Sequence, residues 1–405
     1  MNHRFLLILL AIITMVGVSC NSSKIDNDRI AERIDSLLNS NYTDDAPGCA
    51  MAILKDDKVV YMGCRGIADV NTKEKINEHT VFNIASITKQ FTALAILSLF
   101  EQGKLDINDS VAMYFPEFKS DIWKTVKLKH LMSHSSGVPD NRPRVDKDFM
   151  LHIVDKQCLE YMVDLDELKF EPGTKYDYKN PTFQVLAEVV KRVSGTDFET
   201  FQKENIFNKA GMTNVRYFEP TIEIPHMAHG YINISESDLN SIDSDSEKEK
   251  GDLETQYTDK NGRHWMEYDY GEETFFGTKA DGGIYTSLDD FIKWEIALSN
   301  DKVVAKSTKD LAYTPHIEVS GSKYSSYQNR DNTYYGYGWF IDKKPNRETK
   351  IYHTGDNGGF QAYAAKYPKS NVCVMMFSNR NDLDRWSTQM AIEQIIIEEG
   401  LLSND

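Results

Sequence analysis

Cysteine is scarce in this chain. Five occur among 405 residues, and none forms a Cys-x-x-Cys or a Cys/His ligand spacing. Structural zinc is thereby excluded as the organising feature, and no metal or other cofactor is expected. Positive charge is also short: 46 Lys and Arg stand against 62 Asp and Glu, a net charge of −16. That balance argues against nucleic acid as a partner and favours solubility. Long apolar runs are missing too. The longest at the N-terminus, residues 5–18, is too short to span a bilayer as a helix. There is no internal repeat. An acidic run over 234–254 lacks the ligand spacing of a calcium loop and reads as a solvated surface insertion.

What is present fits a globular body: 40% apolar and 27% charged residues. The first residues form a targeting segment. Met1-Asn2-His3-Arg4 gives a short basic start, the apolar stretch follows, and Ser19-Cys20 closes it. A small residue before a single Cys resembles a bacterial lipobox, although Gly17 stands where an aliphatic residue is usual. The expectation is export, with residues 1–19 a lipoprotein-type signal peptide. Cys20 is then lipidated and holds the protein on the periplasmic side of a bacterial membrane. The alternative is an ordinary secretory signal and a soluble periplasmic protein.

Residues 25–39 carry Ile30, Ile34, Leu37 and Leu38 at helical spacing. Cys49–Leu54 and Val59–Arg65 read as a hairpin around Lys55-Asp56-Asp57-Lys58. A turn centred on Asp56-Asp57 pairs Leu54 with Val59, Ala52 with Tyr61 and Cys49 with Cys64. The two cysteines are then neighbours in an oxidising compartment. A hydrogen-bonded pair holds its side chains further apart, so two packed thiols are favoured over a bridge. Helices are expected over 126–137, 156–168, from Val185 to Gly195, over 197–210, from Leu288 to Leu298 and over 384–399. Late strands are expected over 335–341, 350–353, 361–367 and 372–378. Strands early and late with helices between predict an α+β fold. Its antiparallel sheet is built from both chain ends and flanked by helices, with the two terminal helices on one face. The α/β part spans about 25–99 and 276–402, and a mostly helical middle subdomain spans about 100–275.

The chemistry gathers at Ser86-Ile87-Thr88-Lys89, which precedes the apolar run Gln90–Phe100 with its stop at Gly103. Lys89 lies three residues after Ser86 and its side chain leans back toward it. A serine hydroxyl is a poor nucleophile until a neighbour takes its proton, and a lysine at this spacing is such a neighbour. Tyr178-Lys179-Asn180 follows, then His353-Thr354-Gly355. Three motifs in this order resemble the penicillin-recognising serine hydrolases of the class C β-lactamase-like branch, with its penicillin-binding proteins, D-aminopeptidases and esterases. Flanking segments resemble that branch as well: 131–137, Glu171-Pro172-Gly173, Gly211-Met212 and Asp281-Gly282-Gly283.

The resemblance implies a β-lactamase/transpeptidase-like fold and a metal-independent hydrolase. Ser86 becomes acylated by an amide or ester, with a D-amino-acid-containing peptide the leading substrate class. Tyr178 is the base, its phenol pKa lowered by the adjacent Lys89, and Asn180 holds Lys89 and the substrate amide. The backbone N–H groups of Ser86 and Asp356 form the oxyanion hole, beside Thr354 and Gly355. His353 stands where β-lactamases usually carry Lys, which weakens the β-lactamase reading. His134 is expected to be structural and Tyr176 to pack. A small-ester esterase, a weak β-lactamase and a catalytically silent peptidoglycan-binding module are the alternatives. A monomer acting on a small substrate is expected.

Overall fold

The computed structural model describes residues 26–219, 222–235, 256–268, 275–319 and 331–403. The signal segment with Cys20 and nearly all of the acidic insertion lie outside the described residues.

An eight-stranded sheet uses both ends of the chain. Its order is Lys58–Arg65, Cys49–Lys55, Val372–Ser378, Phe360–Tyr367, Lys350–Asn357, Phe340–Asp342, Thr333–Tyr335 and Ile317–Glu318. Every pairing in it is antiparallel. The first hairpin closes directly on the last strand, with Cys49 opposite Ser378.

Period-2 alternation sends successive residues of these strands into two different cores. On one face, Met51, Ile53, Val374 and Met376 meet Ile30, Ile34 and Leu38 of the helix Asn27–Asn41, and Ile392 and Ile396 of the helix Arg385–Glu398. Both terminal helices therefore cover one face, as the apolar spacing predicts. Arg33 Nη1 joins them through Glu399 Oε1 at 2.7 Å. On the other face, Ala50, Ala52, Ala362, Met375 and Phe377 pack under the helices Thr88–Glu101 and Leu288–Ser299. The first of these helices is buried on all sides, from Thr88 to Leu99. An interior position is the one that suits a helix apolar all round.

The hairpin register departs from the sequence-based expectation. Asp56 and Asp57 do form the turn, both with positive φ (52° and 61°). Leu54 pairs with Val59 as expected, but a bulge at Val60 then sets Ile53 opposite Tyr61, Ala50 opposite Cys64 and Cys49 opposite Arg65. One extra residue moves everything beyond it to the other side. Cys49 consequently sits in the terminal-helix core, whereas Cys64 packs against the opposite one. Both thiols are free.

Other boundaries differ as well. The stretch 335–341 is not one strand but a tight reversal between Thr333–Tyr335 and Phe340–Asp342. Gly338 has φ 85°, and a Cβ on Gly336 would lie 2.2 Å from the Ala312 carbonyl oxygen, so only glycine fits there. The helix expected over 126–137 is confined to Leu128–Met132, because His134 turns the chain with φ 54°. The one expected over 156–168 is Asp155–Glu160, and no single breaker residue explains its early end. Two three-stranded sheets supplement the helical middle. Val81–Asn83, Ile284–Ser287 and Arg216–Tyr217 form one, and Tyr231–Ile234, His264–Glu267 and Gln256–Thr258 the other.

Candidate active site

Ser86 lies in a 3-10 turn, Ala85–Ile87, two residues before the helix Thr88–Glu101 begins. The residue before it, Ala85, takes φ 48°, a left-handed conformation that L residues rarely adopt. The surroundings impose it. Ala85 N–H donates to Asn83 Oδ1 at 2.7 Å, Ile84 N–H to the Ile284 carbonyl at 3.0 Å, and Ile284 N–H to Thr88 Oγ1 at 3.1 Å. The turn is thus clamped to the strand Ile284–Ser287, and Ser86 remains half-buried at its apex.

Lys89 is fully buried. Its Nζ donates to Ser86 Oγ at 3.0 Å and to the Asp281 carbonyl at 2.7 Å. The amine also lies 4.8 Å from the centroid of the Tyr178 ring. Burial pushes its pKa down to about 7; the Asp281 carboxylate opposes this and the Arg142 guanidinium adds to it. A lysine in this state holds a neutral, proton-accepting form near physiological pH.

Tyr178, Lys179 and Asn180 lead into the helix Pro181–Ser194, with Asn180 as its N-cap. His134 shapes this loop. Its carbonyl accepts from Asp177 N–H at 2.8 Å, and its Nδ1 accepts from Lys179 N–H at 3.2 Å. Its ring sits 4.1 Å from that of Tyr178, centroid to centroid. Burial first, then the neighbouring Lys89, holds His134 well below the usual histidine pKa, so it is neutral. Tyr176 is buried among the same rings. Asn180 Oδ1 is buried with no hydrogen-bond partner among the described residues.

The third motif runs along the strand Lys350–Asn357, past the Ser86 turn. Gly355 permits the approach: a Cβ there would stand 2.3 Å from the Ile84 carbonyl oxygen and 2.9 Å from Ala85 Cβ. Beyond Tyr352 this strand pairs only on its Phe360–Tyr367 side among the described residues, which leaves an open edge at 353–357. Asp356 is exposed, and its Oδ1 accepts from Arg385 Nη1 at 2.8 Å. His353 is buried and committed to the protein. Its Nδ1 is 2.6 Å from the Thr354 carbonyl, and its Nε2 is 3.0 Å from Tyr335 Oη. A carbonyl can only accept, so Nδ1 carries the proton.

The structure thus brings Ser86, Lys89, Tyr178 and the 353–356 strand into one place, with Asn180 at the adjoining helix start. Sequence reasoning missed several contributors. In the sequence Asp281 is legible only as part of a flanking segment, yet its carbonyl accepts from Lys89 Nζ. Asn83 lies three residues before Ser86, and nothing in the sequence marks it as a clamp. Tyr335 gave no signal, because only strand pairing brings it to His353.

Comparison with known proteins agrees with this fold. The sequence profile described as Beta-lactamase matches residues 30–394. The chain belongs to the beta-lactamase family. This family is one of serine hydrolases built on this mixed fold with a large antiparallel sheet. The chain is 26% identical over 338 residues to penicillin-binding protein 4* of Bacillus subtilis (strain 168), covering 80% of this chain and 66% of that one. It therefore spans just under two thirds of that relative. The solved penicillin binding protein from Bacillus halodurans superposes with TM-score 0.70 at 26% identity, covering 89% of this chain and 98% of the other. The D-amino acid amidase from Ochrobactrum anthropi SV3 shares the fold, with TM-score 0.68 at 17% identity over 92% of this chain and 98% of that one.

Proposed function

We propose that this beta-lactamase-family protein is an exported serine hydrolase that forms an acyl-enzyme at Ser86 and hydrolyses a small amide or ester. The observation that carries this is the 3.0 Å contact between Lys89 Nζ and Ser86 Oγ, made by a buried lysine whose pKa lies at about 7. The neutral amine takes the Ser86 proton as Oγ attacks the substrate carbonyl. The N–H groups of Ser86 and Asp356 receive the oxyanion. Collapse breaks the bond to the leaving amine or alcohol, which takes the proton from Lys89. Tyr178, beside the same ammonium, is the second proton carrier, and Asn180 orients the substrate amide. Water then attacks the acyl-enzyme by the same route, releasing the acid and restoring Ser86.

His353 narrows the substrate class. With both ring nitrogens spent on Thr354 and Tyr335, it offers no free cation for a substrate carboxylate. Substrates neutral at that point suit the site: amides of D-amino acids first, the class named in the amidase of the same fold, then small esters. Penicillins and cephalosporins, which carry an obligatory carboxylate, suit it less. Expected kcat/KM for a cephalosporin is below ~10⁴ M⁻¹s⁻¹, the lower end for enzymes with their own substrates, and a higher value would refute the assignment. Intact-mass measurement after exposure to a fluorophosphonate, a penicillin, and D-residue amides and peptides identifies the acyl donor.

Export and anchoring through Cys20 belong to the same proposal and rest on the basic start, the apolar stretch and the Ser19-Cys20 junction. Among the described residues no helix is long and apolar enough to cross a membrane. Cys20→Ser should move the protein from the detergent-extracted to the soluble fraction; unchanged partition would count against a lipid anchor.

A further inference from the structure

The lysine that activates Ser86 is aimed by a backbone carbonyl, and that carbonyl sits in a turn held from two sides. From the helix, Thr92 Oγ1 donates to the Ala280 carbonyl at 2.7 Å. From the other side, the buried carboxylate of Asp155 accepts Lys279 N–H on Oδ2 at 2.9 Å and Ala280 N–H on Oδ1 at 3.2 Å. The next residue, Asp281, gives its carbonyl to Lys89 Nζ at 2.7 Å. The two segments are in backbone contact: a Cβ on Gly277 would lie 2.5 Å from the Ile153 carbonyl oxygen. We propose that Asp155 is a positioning residue whose ionised carboxylate locks the 279–281 turn and, through the Asp281 carbonyl, holds the Lys89 amine against Ser86. This rests on Lys89 being the base for Ser86.

The clamp is built to respond to protons. An ionised carboxylate accepts two N–H groups with its two oxygens, whereas a protonated one turns an O–H toward one of them. Asp281, Lys279, Cys158 and Tyr217 face Asp155. The Lys279 ammonium is itself paired with Glu199 and Glu219. Burial first, and the like charge of Asp281 second, push the Asp155 pKa up to about 7, against the two N–H donors and Lys279. Asp155 therefore gains its proton as pH falls through about 7, and the turn slackens; above that pH the turn is locked.

Asp155→Asn keeps the shape and mimics the protonated form permanently. The readout is the rate at which a fluorophosphonate labels Ser86 in the full chain. At about pH 8 the variant should label ~10–100-fold more slowly than the parent, and at about pH 6 the gap should close to ~threefold or less, as expected for a base displaced by a fraction of an ångström. A purely structural role gives the same ratio at both pH values. A constant ratio, or no loss at the higher pH, overturns the proposal. Thr92→Ala keeps it falsifiable should Asp155→Asn fail to fold. That variant removes the other tether, so its deficit should grow as pH falls and Asp155 lets go; a deficit equal at both pH values also overturns the proposal. A parent protein that does not label at Ser86 sinks the hydrolase reading and this inference together. Labelling at Ser86 with both ratios flat sinks this inference alone.

Discussion

Ser86→Ala is expected to abolish turnover of every accepted substrate and all covalent labelling, a loss on the order of 10⁴–10⁶-fold by analogy with other serine nucleophiles. The fold should be unaffected. The Ser86 turn is held by Asn83 Oδ1 and by the strand Ile284–Ser287, not by the serine hydroxyl. Lys89 also retains its bond to the Asp281 carbonyl when Oγ is removed. Binding of a neutral amide should persist, because the open edge at 353–357 is unchanged. This separates a catalytic serine from a silent binding module: the latter would lose nothing. Mass spectrometry locates the adduct. A probe attached elsewhere, with Ser86→Ala fully active, would rule out the mechanism.

Lys89→Met should remove the base while leaving the helix intact. The expected fall in acylation rate is ~10²–10⁴-fold, the range for a lost general base. The side chains have similar length, and Lys89 is surrounded by buried neighbours. The thioether cannot replace the bond to the Asp281 carbonyl, so a stability loss of about 1–3 kcal/mol should accompany the much larger fall in activity. The pH profile gives an independent check. A lysine with pKa about 7 is charged below that pH and neutral above it, so acylation by the parent should rise as pH passes through about 7. In Lys89→Met the part of the rise owed to lysine should vanish. Tyr178→Phe provides the contrast, since it removes the hydroxyl but leaves the amine. If Tyr178→Phe erases the rise and Lys89→Met preserves it, the phenol is the base and the assignment is reversed.

The local geometry around Ser86 and the tertiary scaffold are legible in the sequence to different degrees. Spacing alone places Ile30, Ile34 and Leu38 on one buried helix face, and these residues do lie there. It also puts Lys89 within reach of Ser86, because three residues make about one helical turn whatever the rest of the chain does. Sheet membership followed from where the apolar runs fell, early and late. Pairing register did not. The extra residue at Val60 changes no composition and no periodicity that a short strand can display, yet it sends Cys49 and Cys64 into different cores.

What sequence determined about this protein, then, is local: helix faces, the Ser86–Lys89 pair, the order of the three motifs and the family they mark. The environment around those groups comes from tertiary packing alone. The Asp281 carbonyl reaches Lys89 across 192 positions, and Tyr335 reaches His353 through strands that meet only in the folded sheet. Asp155 grips the same turn as Asp281 from a different helix. Burial lowers the proton affinity of Lys89 and raises that of Asp155, and burial is a property of everything packed around a group. Periodicity is written residue by residue along the chain. Desolvation and long-range hydrogen bonds are set by where the chain returns.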